Sequence, residues 1–239
     1  MSRAERVADP PPTRQNLIWV MPAEGDVTDQ MCLVLAGGDA VLPIDPVPHP
    51  AFVIAADGGL EVAERLGVDV DLVIGDLDSA DPEAVRRVRT AGATVEEHPE
   101  DKDATDLELA LNAAADRGFP WVIVIGGTAP GRLDHLLANA GLLASDRYAG
   151  IKLEWRIGAT RVLPLHDTLT VEGETGDIVS IIPIAGTATV SAGGLEWPLT
   201  DEILDPHSSR SVSNRLTGRT AEISVSSGHA LVVHTRGTP

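Results

Sequence analysis

Leu72-Val73-Ile74-Gly75-Asp76-Leu77-Asp78-Ser79 opens as a short aliphatic run and ends on a glycine and two acids separated by one residue. A run this short, bounded by turn-forming residues, predicts a buried strand that stops at a polar loop. Just beyond it, Asp81 followed by Pro82 predicts the capped start of a helix, and Gly92 its end. Strand, acidic loop and helix in succession form the repeating unit of an open parallel sheet.

The same grammar extends in both directions. Residues 31–36, 51–56 and 121–125 are further apolar runs of strand length, each flanked by glycine or aspartate. A helix is predicted from Thr105 to about Arg117: Thr105 and Glu108 have capping-box spacing, Leu107, Ala110, Leu111 and Ala114 form an apolar stripe, and Gly118 closes it. Another is expected from near Leu133 towards Ser145. Residues 31–149 therefore read as an α/β domain with a mainly parallel sheet.

After Gly150 the texture changes. Residues 152–157, 160–165, 178–184, 187–191, 222–226 and 230–235 are short β-rich stretches separated by Gly, Pro, Asp and Ser. They predict a second, all-β sandwich domain over 150–239, with the boundary near Tyr148 to Lys152. Residues 1–30, with Pro10, Pro11 and Pro12 and no periodicity, read as a tail outside both domains.

Composition narrows the function classes. Thirty-six acidic and 18 basic residues leave a formal charge of −18, which repels a phosphodiester backbone and argues against nucleic acid as a partner. No run is long enough to span a bilayer, and the N-terminus has no apolar signal region, so neither membrane insertion nor secretion is expected. Cys32 is the only cysteine and sits in an apolar run, which suits a buried thiol in a reducing cytoplasm.

Chemistry is expected where the strands end, since ligands of open α/β sheets bind there. Asp57-Gly58-Gly59 reads equally as an ordinary turn or as part of a site. Asp76 and Asp78 repel one another unless a cation lies between them, which points to a hard metal such as Mg²⁺; the alternative is a capped turn. Asp101 to Asp106 precedes a helix start, where free N–H groups and Lys102 suit phosphate, although a solvated charge run with a cap explains the same residues. In Gly126 to His135, glycines permit close approach to a phosphate and Arg132 offers a bidentate fork. Neither the Walker A nor the dinucleotide glycine pattern is present.

Asp57-Gly58-Gly59, Gly75-Asp76-Leu77-Asp78-Ser79, Lys102-Asp103-Ala104-Thr105-Asp106 and Gly131-Arg132-Leu133-Asp134-His135, in that order, resemble the thiamine pyrophosphokinase family. The likeness continues through Ser180 to Ile184, Gly194 to Leu199 and Ser211 to Asn214. It implies transfer of pyrophosphate from ATP to the hydroxyl of thiamine, giving thiamine diphosphate and AMP, by a homodimer with its sites between subunits. It further implies Mg²⁺ on Asp76 and Asp78 and chemistry at Asp76, Asp78, Asp106, Arg132 and Asp134. ATP would be bound by Asp57, Gly58, Gly59, Lys102, Thr105, Gly131, Arg132 and His135, and thiamine by Trp197, Ser211, Ser213 and Asn214. Pro130 departs from the family's usual glycine, and Arg215 stands where many members carry an acid. Two alternatives remain open: a hydroxymethylpterin pyrophosphokinase, and a non-catalytic sensor of thiamine diphosphate or nucleotide.

Overall fold

The computed structural model describes residues 19–20, 30–38, 41–78, 80–128 and 131–237. Most of the expected 1–30 tail, and Ser79 and Pro130, lie outside them.

The strands in chain order are β1 (Trp19–Val20), β2 (Met31–Ala36), β3 (Val47–Pro48), β4 (Phe52–Ala56), β5 (Leu72–Gly75), β6 (Thr94–Glu97), β7 (Trp121–Ile125) and β8 (Lys152–Ile157). β1 and β3 form a small parallel pair. The others make a parallel sheet in the order β6-β5-β4-β2-β7-β8. Between them run helices α1 (Gly59–Leu66), α2 (Pro82–Ala91), α3 (Asp106–Asp116) and α4 (Leu133–Leu143).

Alternation along β2 explains the double covering. Cys32, Val34 and Ala36 join Leu107, Ala110, Leu111 and Ala114 of α3 in one core, while Met31, Leu33 and Leu35 join Val62, Ala63 and Leu66 of α1 in another. A strand packed on both faces has to be apolar at every position, which is why these runs show no polar alternation. Cys32 is fully buried, and burial pushes its thiol up to about 12, so it is a packing residue.

Helix boundaries follow the chemistry of their ends. Asp81 caps α2 by accepting from Glu83 N at 3.0 Å, and Gly92 closes it in the left-handed conformation. Thr105 caps α3 by accepting from Glu108 N at 3.2 Å. α1 has no such marker. Its N-cap is Gly58, without a side-chain bond, so the glycine pair that suggests a turn is in fact a helix start.

The second half contains β9 (Thr160–Leu165), β10 (Thr168–Glu172), β11 (Ile178–Gly193), β12 (Leu199–Leu204), β13 (Asn214–Arg215) and β14 (Thr220–Thr235). β11 and β14 are each 16 residues long, where the sequence suggests two short strands apiece. The apparent breaks are kinks. Ala185 and Gly186 adopt positive φ where the β11–β14 register shifts, and Gly228 approaches Thr187 O so closely that an added Cβ would lie 2.2 Å from it. Val179, Ile181, Val190, Ile223, Val225 and Val232, taken from both ends of the two bent strands, line a single core.

The texture change near residue 150 does not divide the sheet. β8 adds to β7 in parallel and then pairs antiparallel with β9, which pairs with β14. One hydrogen-bonded path thus runs β12-β11-β14-β9-β8-β7-β2-β4-β5-β6 through both halves.

Candidate active site

From β2 the chain moves outward to β4, β5 and β6, and α3 then carries it back to β7 on the opposite side of β2. Such a reversal leaves a crevice at the carboxyl ends of the strands. Here it is a cleft of about 630 Å³, floored by Gly37 and Gly38 after β2, Gly58 after β4 and Gly127 after β7. The floor depends on close backbone approach. A Cβ on Gly59 would lie 1.9 Å from Leu35 O, and one on Gly126, at φ 94°, would lie 2.0 Å from Ala36 O.

Three carboxylates converge on this floor. Asp57, Asp76 and Asp106 place oxygens within 4.8 Å of one another. They come from the ends of β4 and β5 and the first turn of α3. Asp57 N donates to Ile74 O at 2.9 Å, carrying the β4–β5 ladder one residue further and pinning Asp57 beside the end of β5. Gly75 makes room for the trio, since a Cβ there would lie 2.8 Å from Asp106 Oδ1. Asp57 and Leu77 hold φ of 41° and 61°, uncommon for side-chain-bearing residues and a feature of sites whose geometry is set by their surroundings. Asp78 lines the cleft outside the trio, its N–H donating to Asp76 Oδ1 at 3.3 Å.

Lys102 is the counterion. Its ammonium donates to Asp76 Oδ2 at 2.6 Å and lies 3.0 Å from Asp106 Oδ1. The Lys102 hydrogen bond holds Asp76 below the usual carboxylate range. Burial opposes the charge on Lys102, but its bonds to Asp76 and Asp106 prevail and raise its pKa. Burial raises the Asp106 carboxyl, with Asp76 and Asp57 adding like-charge repulsion against the opposing pull of Lys102. One cation facing three acids leaves negative charge in excess. Hard oxygen donors this close together fit a divalent metal.

The start of α4 also lines the cleft. Arg132 and His135 line the cleft and touch each other, while Arg132 Nη2 donates to Asp134 Oδ2 at 3.1 Å. That bond raises the pKa of Arg132 and lowers that of Asp134. Behind them, buried Asn139 donates to Gly127 O at 3.1 Å, tying α4 to the glycine floor. Of the remaining expected phosphate-side residues, Thr105 lines the cleft, whereas Gly59, Gly131 and Asp134 do not. Gly59 serves the packing of α1 on β2, and Gly131, at φ 80°, turns the chain into α4.

The residues expected near thiamine assemble elsewhere on the molecule. Asn214 is buried and works as a clamp: its Oδ1 accepts from Trp197 N at 3.0 Å and its Nδ2 donates to Trp197 O at 2.7 Å. Ser213 N donates to Ser180 Oγ at 2.9 Å, and Ser211 Oγ donates to Ile181 O at 2.6 Å. Ser211 and Ser213 both have positive φ. This framework presents the Trp197 side chain to solvent, 54% exposed. None of the four lines the acidic cleft.

Sequence reasoning missed Gly37, Gly38, Glu61, Glu100 and Asn139 as cleft residues. The glycine pair after β2 carries the same strand-then-glycine signal as the others and could have been found. Asn139 sits mid-helix and carries no such signal.

A parallel sheet covered on both faces, with a carboxylate–lysine centre beside a glycine floor and a strand-rich half continuing the sheet, defines an α/β phosphate-transferring enzyme. Comparison with known proteins specifies which. Residues 47–154 match the family description "Thiamin pyrophosphokinase, catalytic domain", and residues 167–230 match "Thiamin pyrophosphokinase, vitamin B1 binding domain". The chain belongs to the thiamine pyrophosphokinase family. It is 27% identical over 187 residues to thiamine pyrophosphokinase of Bacillus subtilis (strain 168), covering 75% of this chain and 85% of that one. Its fold is similar to the crystal structure of a Bacillus subtilis thiamine pyrophosphokinase, with a TM-score of 0.74 at 23% identity over 87% of this chain and 100% of that one. Yeast thiamin pyrophosphokinase is similar with a TM-score of 0.65 at 16% identity, over 98% and 96% of the two chains.

Proposed function

We infer that this protein is a thiamine diphosphokinase, transferring the pyrophosphate of ATP to the hydroxyl of thiamine and releasing AMP. The observation that carries the chemistry is the Asp57–Asp76–Asp106 trio with Lys102 at its centre. The three carboxylates would hold the divalent cation, with Mg²⁺ the best fit to an all-oxygen donor set. Bound there, such a cation supplies charge neutralisation for the transferring phosphates.

The chain's own groups do the rest. Gly37, Gly58 and Gly127 leave the floor open to phosphate oxygens. Lys102 is held in place by two acids, and Arg132 and His135 line the same cleft. Together they stabilise negative charge as the thiamine hydroxyl attacks the β-phosphorus and AMP departs. Asp78, Thr105 and Asp134 serve the same region in supporting roles, by orienting Asp76, capping α3 and pairing with Arg132.

Thiamine would be recognised by the Trp197 loop, its cationic thiazolium or flat pyrimidine meeting the indole. Because Trp197, Ser211, Ser213 and Asn214 lie outside the acidic cleft of their own chain, a homodimer with each site shared between subunits accounts for both halves. Two exposed apolar surfaces support this: Leu133, Leu136 and Leu137 on α4, and Ile182 and Val212 on the strand-rich half. A cytoplasmic location agrees with the single buried thiol; no described helix is long and apolar enough to cross a membrane.

A hydroxymethylpterin acceptor and a non-catalytic sensor are not favoured, since the two matched descriptions name thiamin and vitamin B1. Incubation with ATP, Mg²⁺ and either thiamine or hydroxymethylpterin, followed by separation of AMP from ADP, tests the assignment. Thiamine-dependent AMP is expected. ADP as the product, or AMP formed only with the pterin, would overturn it.

A further inference from the structure

A second cluster of metal-ligating groups lies away from the acidic cleft. Past the last β9–β14 pair, Leu165 with Ala230, the antiparallel register places His166 opposite His229. Their rings stand 6.1 Å apart, edge to face. Asp146, in the short 3₁₀ turn Asp146–Tyr148 that follows α4, brings its carboxylate Oδ1 to 3.7 Å from His229 Nδ1. One ligand atom from each of the three residues falls within 4.8 Å of the other two.

Two features mark this as more than a chance meeting of side chains. His166 Nε2 and His229 Nδ1 are buried nitrogens with no hydrogen-bond partner among the described residues, an arrangement that costs stability unless something else accepts their lone pairs or protons. His166 further lines a cavity of about 500 Å³, and the Asp146 side chain is 81% exposed, so an ion has a way in.

We propose that Asp146, His166 and His229 form a site for a borderline transition-metal ion, Zn²⁺ in particular, that joins the segment after α4 to the strand-rich half. Two imidazoles and one carboxylate match the ligand preference of zinc, with a fourth position left to water. The set differs in kind from the all-oxygen trio of the cleft, which suits Mg²⁺. Zinc–ligand bonds of about 2.0–2.2 Å require ligand atoms closer than they now stand. The exposed Asp146 side chain is free to supply that movement by rotation.

The test is calorimetric titration of the intact protein with Zn²⁺ in excess Mg²⁺, which keeps the acidic cleft occupied by the harder ion. One Zn²⁺ per chain is expected, together with a rise in Tm. Outer-shell partners alone commonly carry about 10- to 100-fold in metal affinity, so Asp146→Asn, His166→Gln and His229→Gln should each weaken binding at least about tenfold. Asp76→Asn should leave it unchanged. Co²⁺ in place of Zn²⁺ should give the visible absorption of a tetrahedral nitrogen–oxygen site, lost in the same three variants. Asp146→Asn alters an exposed side chain and keeps the test independent of folding. Absence of Zn²⁺ binding, or equal stoichiometry and affinity in wild type and Asp146→Asn, would overturn the site.

Discussion

Trp121, Trp155 and Tyr148 are buried, whereas the Trp197 side chain stands 54% exposed on a backbone held from both sides by the Asn214 amide. That clamp fixes the backbone of the loop while the residue stays more than half exposed. Trp197→Leu is therefore expected to keep cooperative unfolding and the KM for ATP, and to raise the KM for thiamine. A cation–π contact worth about 0.5–2 kcal/mol corresponds to roughly a 2- to 30-fold increase. Equal changes for both substrates, with a lowered Tm, would assign the residue to packing. At this scale the chemistry was partly legible. Asp76 was picked out because two close acids repel without a cation, Lys102 because it suits phosphate at a helix start, and Asp57 and Asp106 through the family resemblance. Their grouping was not, because the trio draws on two strand ends and a helix start separated by tens of residues. Adjacency in sequence paired Asp78 with Asp76, and tertiary packing brings Asp57 and Asp106 to Asp76 as well. Asn214 was expected near thiamine; its amide bonds the Trp197 backbone from both sides, an arrangement that depends on which way a side-chain amide points.

Secondary elements were most readable where their ends carry chemistry. Asp81, Pro82 and Gly92 delimit α2, and Thr105 starts α3, as capping rules require. α1 escaped because its cap is glycine, and β11 and β14 were split because positive-φ kinks within a strand resemble turns between strands. The same backbone specialisation makes a prediction about the floor of the cleft. Gly126 ends β7 at φ 94°, with Ala36 O where a Cβ would project, 2.0 Å away. Gly126→Ala must strain the backbone and separate β7 from β2, costing roughly 2–6 kcal/mol from the two effects together. Gly118→Ala, at φ 78° with open space around it, should cost only the backbone term, about 1–3 kcal/mol. Denaturant melts of the two variants measure the difference, and equal losses would remove close strand contact as the reason for the glycine.

For the molecule as a whole, the proposed dimer would make catalysis a property of two chains, because the acidic cleft and the Trp197 loop lie apart on one chain. Mixing Asp76→Asn chains with Trp197→Leu chains at limiting thiamine would produce heterodimers with one wholly intact site and one doubly altered site. Random exchange of equal amounts yields half heterodimers, so about a quarter of wild-type sites should reappear. No recovery after subunit exchange has been verified by mass would place both residues in one subunit's site. The two-part organisation was legible as a change in texture near residue 150, since strands covered on both faces are uniformly apolar and those of the second half are not. The continuity between the parts was invisible, because β8 lies after the change in texture and yet belongs to the parallel ladder.

The unbroken path from β7 through β8 to β9 bears on any attempt to divide the chain. Cutting between β8 and β9 strips each of its neighbour and leaves both fragments with a raw row of unpaired amides and carbonyls. Such rows recruit other strands. Either half, excised alone, would expose an edge that the intact chain pairs. Each covers an edge strand of the other, and the β8–β9 joint occupies a row that would otherwise be open to a further strand.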